Sequence, residues 1–162
     1  MLKRVIPKFI RPSRRMAVKF YEQDVKAKLA AKRKLAAFLT SLVKQHRPLL
    51  VKINLTYIFC DDAYLLEINQ QFLNHNTLTD IITFDMSESD DALTGEIYIS
   101  IDRVNENAHT FGVTYQHELH RVIFHGALHL CGFKDKKPAE KQAMSQQEDS
   151  CLEAWFGNGQ HN

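Results

Sequence analysis

The sequence predicts one globular domain in which strands and helices alternate. Three observations carry that expectation. The chain has 162 residues and 18.8 kDa, enough to bury a core without disulfide or metal staples. Hydrophobic residues make up 44% and charged residues 25%, with 6 Gly and 4 Pro, which argues against disordered, collagen-like and low-complexity chains. The segments with strand and helix patterns are too interleaved to divide into two units. Nowhere is there an apolar run long enough for a spanning helix. Cys60, Cys131 and Cys151 are an odd and sparse set, fitting a reducing compartment better than a disulfide scaffold.

Residues 1–15, MLKRVIPKFIRPSRR, hold six basic residues and no acid. Pro7 interrupts their helical spacing. Three readings stand open: a basic RNA-contacting arm, a short targeting stretch, and an extension upstream of a start at Met16. A disordered tail is compatible with all three. From Ala17 to Tyr21 the pattern is a strand. Residues 25–46 are expected to be a helix, with Val25, Leu29, Leu35, Phe38, Leu39 and Leu42 inward and Lys26, Lys28, Lys32, Arg33 and Lys34 mostly outside.

Leu50 to Phe59 alternates as a strand. Asp61 is placed to cap a helix over 62–72, with Leu65, Leu66, Ile68 and Phe72 apolar. A polar loop, Asn74-His75-Asn76-Thr77, leads to a short strand, Ile81 to Phe84. An acidic loop, Ser87–Asp91, precedes a strand over Ile97–Ile101, entered from Gly95. Asp102 is expected to cap a helix that Gly112 ends. Thr114 opens the next helix, which runs to about Cys131 and stops at Gly132. Pro138 starts a last amphipathic helix through Leu152 and Trp155.

Four of the eight histidines, His117, His120, His125 and His129, fall within thirteen residues of one helix. At about 100° per residue, His125 and His129 stack one turn apart on one face, so two imidazoles can grip one ion. Gly132 then lets the chain turn back, and Asp135 can add an oxygen ligand. Three protein ligands with a fourth position open describe a catalytic zinc rather than a structural one. His117 and His120 point elsewhere and are expected to be polar surface residues. Glu118 and Arg121 have two readings: support behind the ligands, or a plain intrahelical ion pair. Cys131 is expected to be a small core residue.

The spacing His-x-x-x-His-x-x-Gly-x-x-Asp matches the ligand frame of metzincin-type proteases. Those enzymes need a Glu directly after the first His as general base, and here that position is Gly126. The absence of that base counts against proteolysis while leaving the metal frame intact.

Three blocks resemble the YbeY family of endoribonucleases, the ribosomal RNA maturation factors. They are ELHRVIFHGALHLCGF over 118–133, TDIITF over 79–84 and GEIYI over 95–99, and the resemblance spans about residues 16–155. It implies a single α+β domain, with a small mixed sheet of about four strands flanked by helices and a zincin-like metal helix. The expected organisation is then an extension over 1–15, a catalytic domain over 16–155 and a tail over 156–162. It also implies one zinc ion per chain and single-strand-specific cleavage of RNA in ribosomal RNA processing and ribosome quality control. The expected partners are ribosomal RNA and small-subunit components, in the cytoplasm and with no membrane.

Carried over by position, His125, His129 and Asp135 would be the ligands. The catalytic group would be a zinc-bound water, with no protein general base. The family most often has a third His where this chain has Asp135, and the added negative charge weakens the metal's Lewis acidity. It usually has an Arg in the segment before the Thr-Asp block, where this chain has Leu73. Either a neighbour such as His75 or Lys134 contacts RNA instead, or activity is reduced. Two alternatives remain: a metal-dependent hydrolase of another substrate, peptidase-like, and a non-catalytic assembly factor with a structural zinc.

The net charge of +2 conceals a split. Residues 1–50 carry a net +12 and residues 51–162 a net −10. Removing residues 1–15 turns the total into −4, so net charge contributes almost nothing to the nucleic-acid reading.

Overall fold

The computed structural model describes residues 16–74 and 78–157. The 1–15 extension, His75 with its two loop neighbours, and the end of the tail lie outside the described residues. Among the described residues nine elements follow in order: β1 (Met16–Glu22), α1 (Lys32–His46), β2 (Lys52–Cys60), α2 (Asp62–Leu73), β3 (Ile81–Asp85), β4 (Ala92–Ser100), α3 (Ile101–Phe111), α4 (Tyr115–Leu130) and α5 (Pro138–Phe156). The sheet order is β1-β2-β4-β3. The first three of these strands are parallel, and β3 runs antiparallel at one edge. This is the expected single α+β domain with a small mixed sheet. Among the described residues, no helix is long and apolar enough to cross a membrane.

Period-two alternation assigns the faces of the sheet. Ile53, Leu55, Tyr57 and Phe59 of β2, with Leu93, Ile97 and Ile99 of β4, join α1, α4 and α5 in the larger core. Ile58, Cys60 and Tyr98 turn to the other face, where Leu65 and Ile68 of α2 cover them. Two glycines let α4 approach the first face closely. A Cβ on Gly126 would lie 2.8 Å from Ile97 Cγ2 and 3.0 Å from Ile81 Cδ1. A Cβ on Gly95 would lie 2.6 Å from Leu130 Cδ1. The buried Tyr57 hydroxyl ties the same two layers by donating to the Ile123 carbonyl at 2.8 Å.

Several local expectations are corrected. The helix begins at Lys32, not residue 25. Lys28 and Ala31 are left-handed, at φ 54 each, and tertiary bonds hold the segment off the helix. The Ala27 amide donates to the Glu22 carboxylate at 2.6 Å, and the Tyr115 hydroxyl donates to the Ala27 carbonyl. Gln116 adds a bond to the Lys28 carbonyl. Val25 and Leu29 therefore pack on the core from a strap rather than from a helix face.

β4 starts at Ala92, so Gly95 lies inside the strand, and Ile101 is already helical. Ser100, not Asp102, caps α3 by accepting from the Arg103 amide. The Asp102 carboxylate instead accepts from the Asp62 amide. Phe72 is 54% exposed and touches the Phe84 ring edge-on. The caps at Asp61, Gly112 and Thr114 and the start at Pro138 stand where the sequence put them.

Candidate metal centre

α4 begins at a cap in which the Thr114 hydroxyl accepts from the His117 amide. It ends in a Schellman motif, where the Phe133 amide donates to the Leu128 carbonyl and the Gly132 amide to that of His129. Gly132, at φ 106, supplies the left-handed turn that the motif needs. That turn does two things. It returns Asp135 over the last turn of the helix, and it aims the Phe133 carbonyl at His129 Nδ1, 2.9 Å away.

His125 and His129 sit one turn apart, with ring centroids 4.5 Å apart and planes at 86°. Asp135 Oδ2 lies 3.3 Å from His125 Nε2 and 3.2 Å from His129 Nε2. One ligand atom from each residue falls within 4.8 Å of the others. The second nitrogen of each ring is committed. His129 Nδ1–H donates to the Phe133 carbonyl, and His125 Nδ1–H donates to Glu148 Oε2 at 3.1 Å. Both acceptors require the proton on Nδ1, leaving two Nε2 lone pairs facing a carboxylate oxygen. Three acceptors converging on one point suit a divalent cation, and N2O donors are a normal zinc set. The sequence's three ligand candidates are therefore brought together.

Glu148 was not legible as part of the site. It is 5% exposed, on α5. Its other oxygen accepts from Arg121 Nη1 at 2.7 Å, and Arg121 also forks onto Glu118 at 2.6 and 2.8 Å. Asp80, just before β3, stands 3.7 Å from the same guanidinium. Burial pushes the Glu148 carboxyl up, but the hydrogen bonds from His125 and Arg121, with the Arg121 charge, outweigh it and hold it below its usual range. Burial likewise opposes the Arg121 charge, and its carboxylate partners override it. The structure places Glu118 and Arg121 in an intrahelical ion pair that leads, through Glu148, to His125. The signal in the sequence was the apolar stripe Met144, Cys151 and Leu152, with a charged residue standing inside it.

Other expected residues divide. His117 and His120 lie away from the ligand group, but His120 is buried, contrary to the surface reading. Its ring stacks on Trp155 and bonds to the Gln116 carbonyl. The half-buried Cys131 is one of the hydrophobics packed against the core, and burial pushes its thiol up to about 11, so it is no ready ligand. Lys134 is exposed beside Asp135, and Leu73 is 43% exposed at the end of α2.

The family model described as endoribonuclease YbeY matches residues 17–156. A relative from Cytophaga hutchinsonii, named endoribonuclease YbeY, is 44% identical over 82% of this chain and 92% of its own. One of the same name from Bacteroides thetaiotaomicron is 42% identical over 85% of this chain and 98% of its own. The solution structure of TM1509 from Thermotoga maritima superposes with a TM-score of 0.63 at 28% identity, over 87% of this chain and 90% of that one.

Proposed function

Because the chain belongs to the YbeY endoribonuclease family, we propose that it is a zinc-dependent hydrolase of single-stranded RNA. Its place is ribosomal RNA maturation and ribosome quality control, in the cytoplasm and in contact with small-subunit components. The catalytic domain is assigned to residues 16–155. The observation that carries the reading is the convergence of His125 Nε2, His129 Nε2 and Asp135 Oδ2.

These three residues would hold one zinc ion. When bound, the ion supplies a Lewis acid that lowers the pKa of a water toward about 7 and polarises a phosphoryl oxygen. Glu148 and the Phe133 carbonyl keep each imidazole in the tautomer that offers Nε2. Arg121 and Glu118 fix Glu148 in turn, with every carboxylate oxygen of Glu118 and Glu148 accepting a bond. Arg121 faces three carboxylates, so it is not the free cation that would clamp a phosphate in place of the family's usual Arg. Lys134, exposed and next to a ligand, takes that role, and His75 is a second candidate.

The peptidase-like reading is disfavoured by Gly126. Its missing side chain would point into Ile97 and Ile81, so a general base there would face the sheet. The assembly-factor reading keeps one observation, Leu73 at the Arg position. A panel of single-stranded RNA and casein, each with and without chelator, tests the proposal. Chelator-sensitive RNA cleavage with casein intact is expected; chelator-resistant cleavage, or cleaved casein alone, would overturn it.

A further inference from the structure

The acidic part of the chain, residues 51–162, holds only seven Lys and Arg, and their placement is uneven. Arg103 is paired with Asp62 and Glu106, and Arg121 with Glu118 and Glu148. Lys52 is half-buried at the start of β2. The other four, Lys134, Lys136, Lys137 and Lys141, fall within eight residues around Asp135. All four are exposed, and none of their ammonium groups has an ion pair or hydrogen bond among the described residues. Free cations cost nothing to keep solvated, but their gathering beside a metal-ligand carboxylate in an otherwise acidic region sets up a local positive field.

The segment is also held in place. The Glu140 carboxylate accepts from the Lys136 and Lys137 amides at 3.2 and 3.1 Å, a cap that anchors the loop to the first turn of α5. The Lys141 amide donates to the Lys137 carbonyl, which sets those two lysines one helical turn apart. At its other end the loop is fixed by the Schellman motif and by the Phe133 ring edge-on to His46, with centroids 5.0 Å apart. The lysines are therefore flexible stems on a positioned backbone, suited to phosphates rather than to base edges.

We propose that the α4–α5 connection and first turn of α5 form a phosphate-tracking lip, over which the sugar-phosphate backbone of single-stranded RNA reaches the metal centre. The proposal rests on the RNA-cleaving reading above and adds the path of the strand. Binding along it is sequence-independent and sensitive to salt, because each neutralised phosphate releases counterions.

The test is a triple variant, K136Q/K137Q/K141Q, which leaves the ligands, Lys134 and the Glu140 cap in place. Affinity for a single-stranded oligoribonucleotide is measured from 50 to 200 mM salt on the zinc-loaded full chain. Wild type is expected to bind with a steep salt dependence. The variant should lose roughly two units of the log–log slope, about 0.7 per phosphate contact, and weaken most at low salt. Its zinc content and melting temperature should match wild type, which separates a lost RNA path from a damaged fold. An unchanged slope and affinity in the variant would overturn the lip alone. If wild type binds no RNA in the presence of zinc, the RNA-cleaving reading falls with it.

Discussion

Glu148 on α5 meets Nδ1 of His125 on α4 at 3.1 Å, across 23 residues of sequence. The contact fixes the tautomer of a candidate metal ligand from a different helix, so metal affinity should depend on a residue outside the ligand set. Glu148→Ala is expected to weaken zinc binding by about 10–100-fold, and Glu148→Gln by less, since its amide oxygen still accepts from Nδ1–H. Competition against a chelating dye reads both. Equal affinity in wild type and the alanine variant would refute the dependence.

Removing a ligand is a different loss. Alanine at His129 or at Asp135 leaves two donors where three converge, too few for a stable site. Metal analysis should fall from one zinc per chain to nearly none, together with RNA cleavage. Full cleavage by a metal-free H129A/D135A variant would end the zinc mechanism.

Gly126 is set by packing rather than by chemistry. Alanine there would gain about 1 kcal/mol of helix propensity but press a methyl against Ile97 Cγ2 at 2.8 Å. That atom sits on a β-branched side chain with little rotamer freedom, and overpacking costs about 1–3 kcal/mol. Gly126→Ala should therefore lower the denaturant midpoint, by up to about 2 kcal/mol of stability. A midpoint at or above wild type would show that the helix–sheet gap yields.

At Leu73, the last residue of α2, an arginine would meet favourable helix-end charge, since the last turn holds no basic residue. Leu73 is already exposed, so the fold loses little. Leu73→Arg is expected to raise the rate of single-stranded RNA cleavage several-fold with melting temperature held or slightly raised. A rate at or below wild type would indicate that this chain no longer uses a cation there.

His120 gives a pH dependence. Burial among Phe124, Trp155 and Phe156 depresses its pKa; the Gln116 carbonyl opposes that and the neighbouring His117 adds to it. Because the folded value lies below the unfolded value of about 6.5, the unfolded chain takes up the proton first as pH falls. The stability is fully present above about pH 6.5 and is lost as pH drops through the folded value. Chemical denaturation between pH 7.5 and 5 should show a shallower acid loss in His120→Gln than in wild type. Identical slopes would remove His120 as the cause.

Legibility followed the range of the interactions. Asp61, Thr114, Gly112 and Gly132 act on backbone within four residues, so their roles could be read from spacing alone. The His125–His129 pair is likewise one turn of a regular helix, and the Gly132 turn brings Asp135 within reach of it. The strap before α1 failed to be a helix because Tyr115 and Gln116, 88 residues away, take its carbonyls. Helical periodicity in 25–31 carries no trace of that competitor.

What the sequence determined by itself is therefore the family, the alternation of elements and the three residues that converge as a candidate cation site. Each depends on local spacing or on blocks of contiguous text. The tertiary structure alone decided that Glu148, reached through Arg121 and Glu118, holds His125. It also decided that Gly126 is a packing gap, that His120 is buried, and that the four lysines on either side of Asp135 in the sequence stay unpaired among the described residues while the arginines of that region are consumed by carboxylates. Those facts depend on which helix lies against which, and that is settled by burying apolar faces against the sheet, a non-directional force that names no partner until the chain is folded.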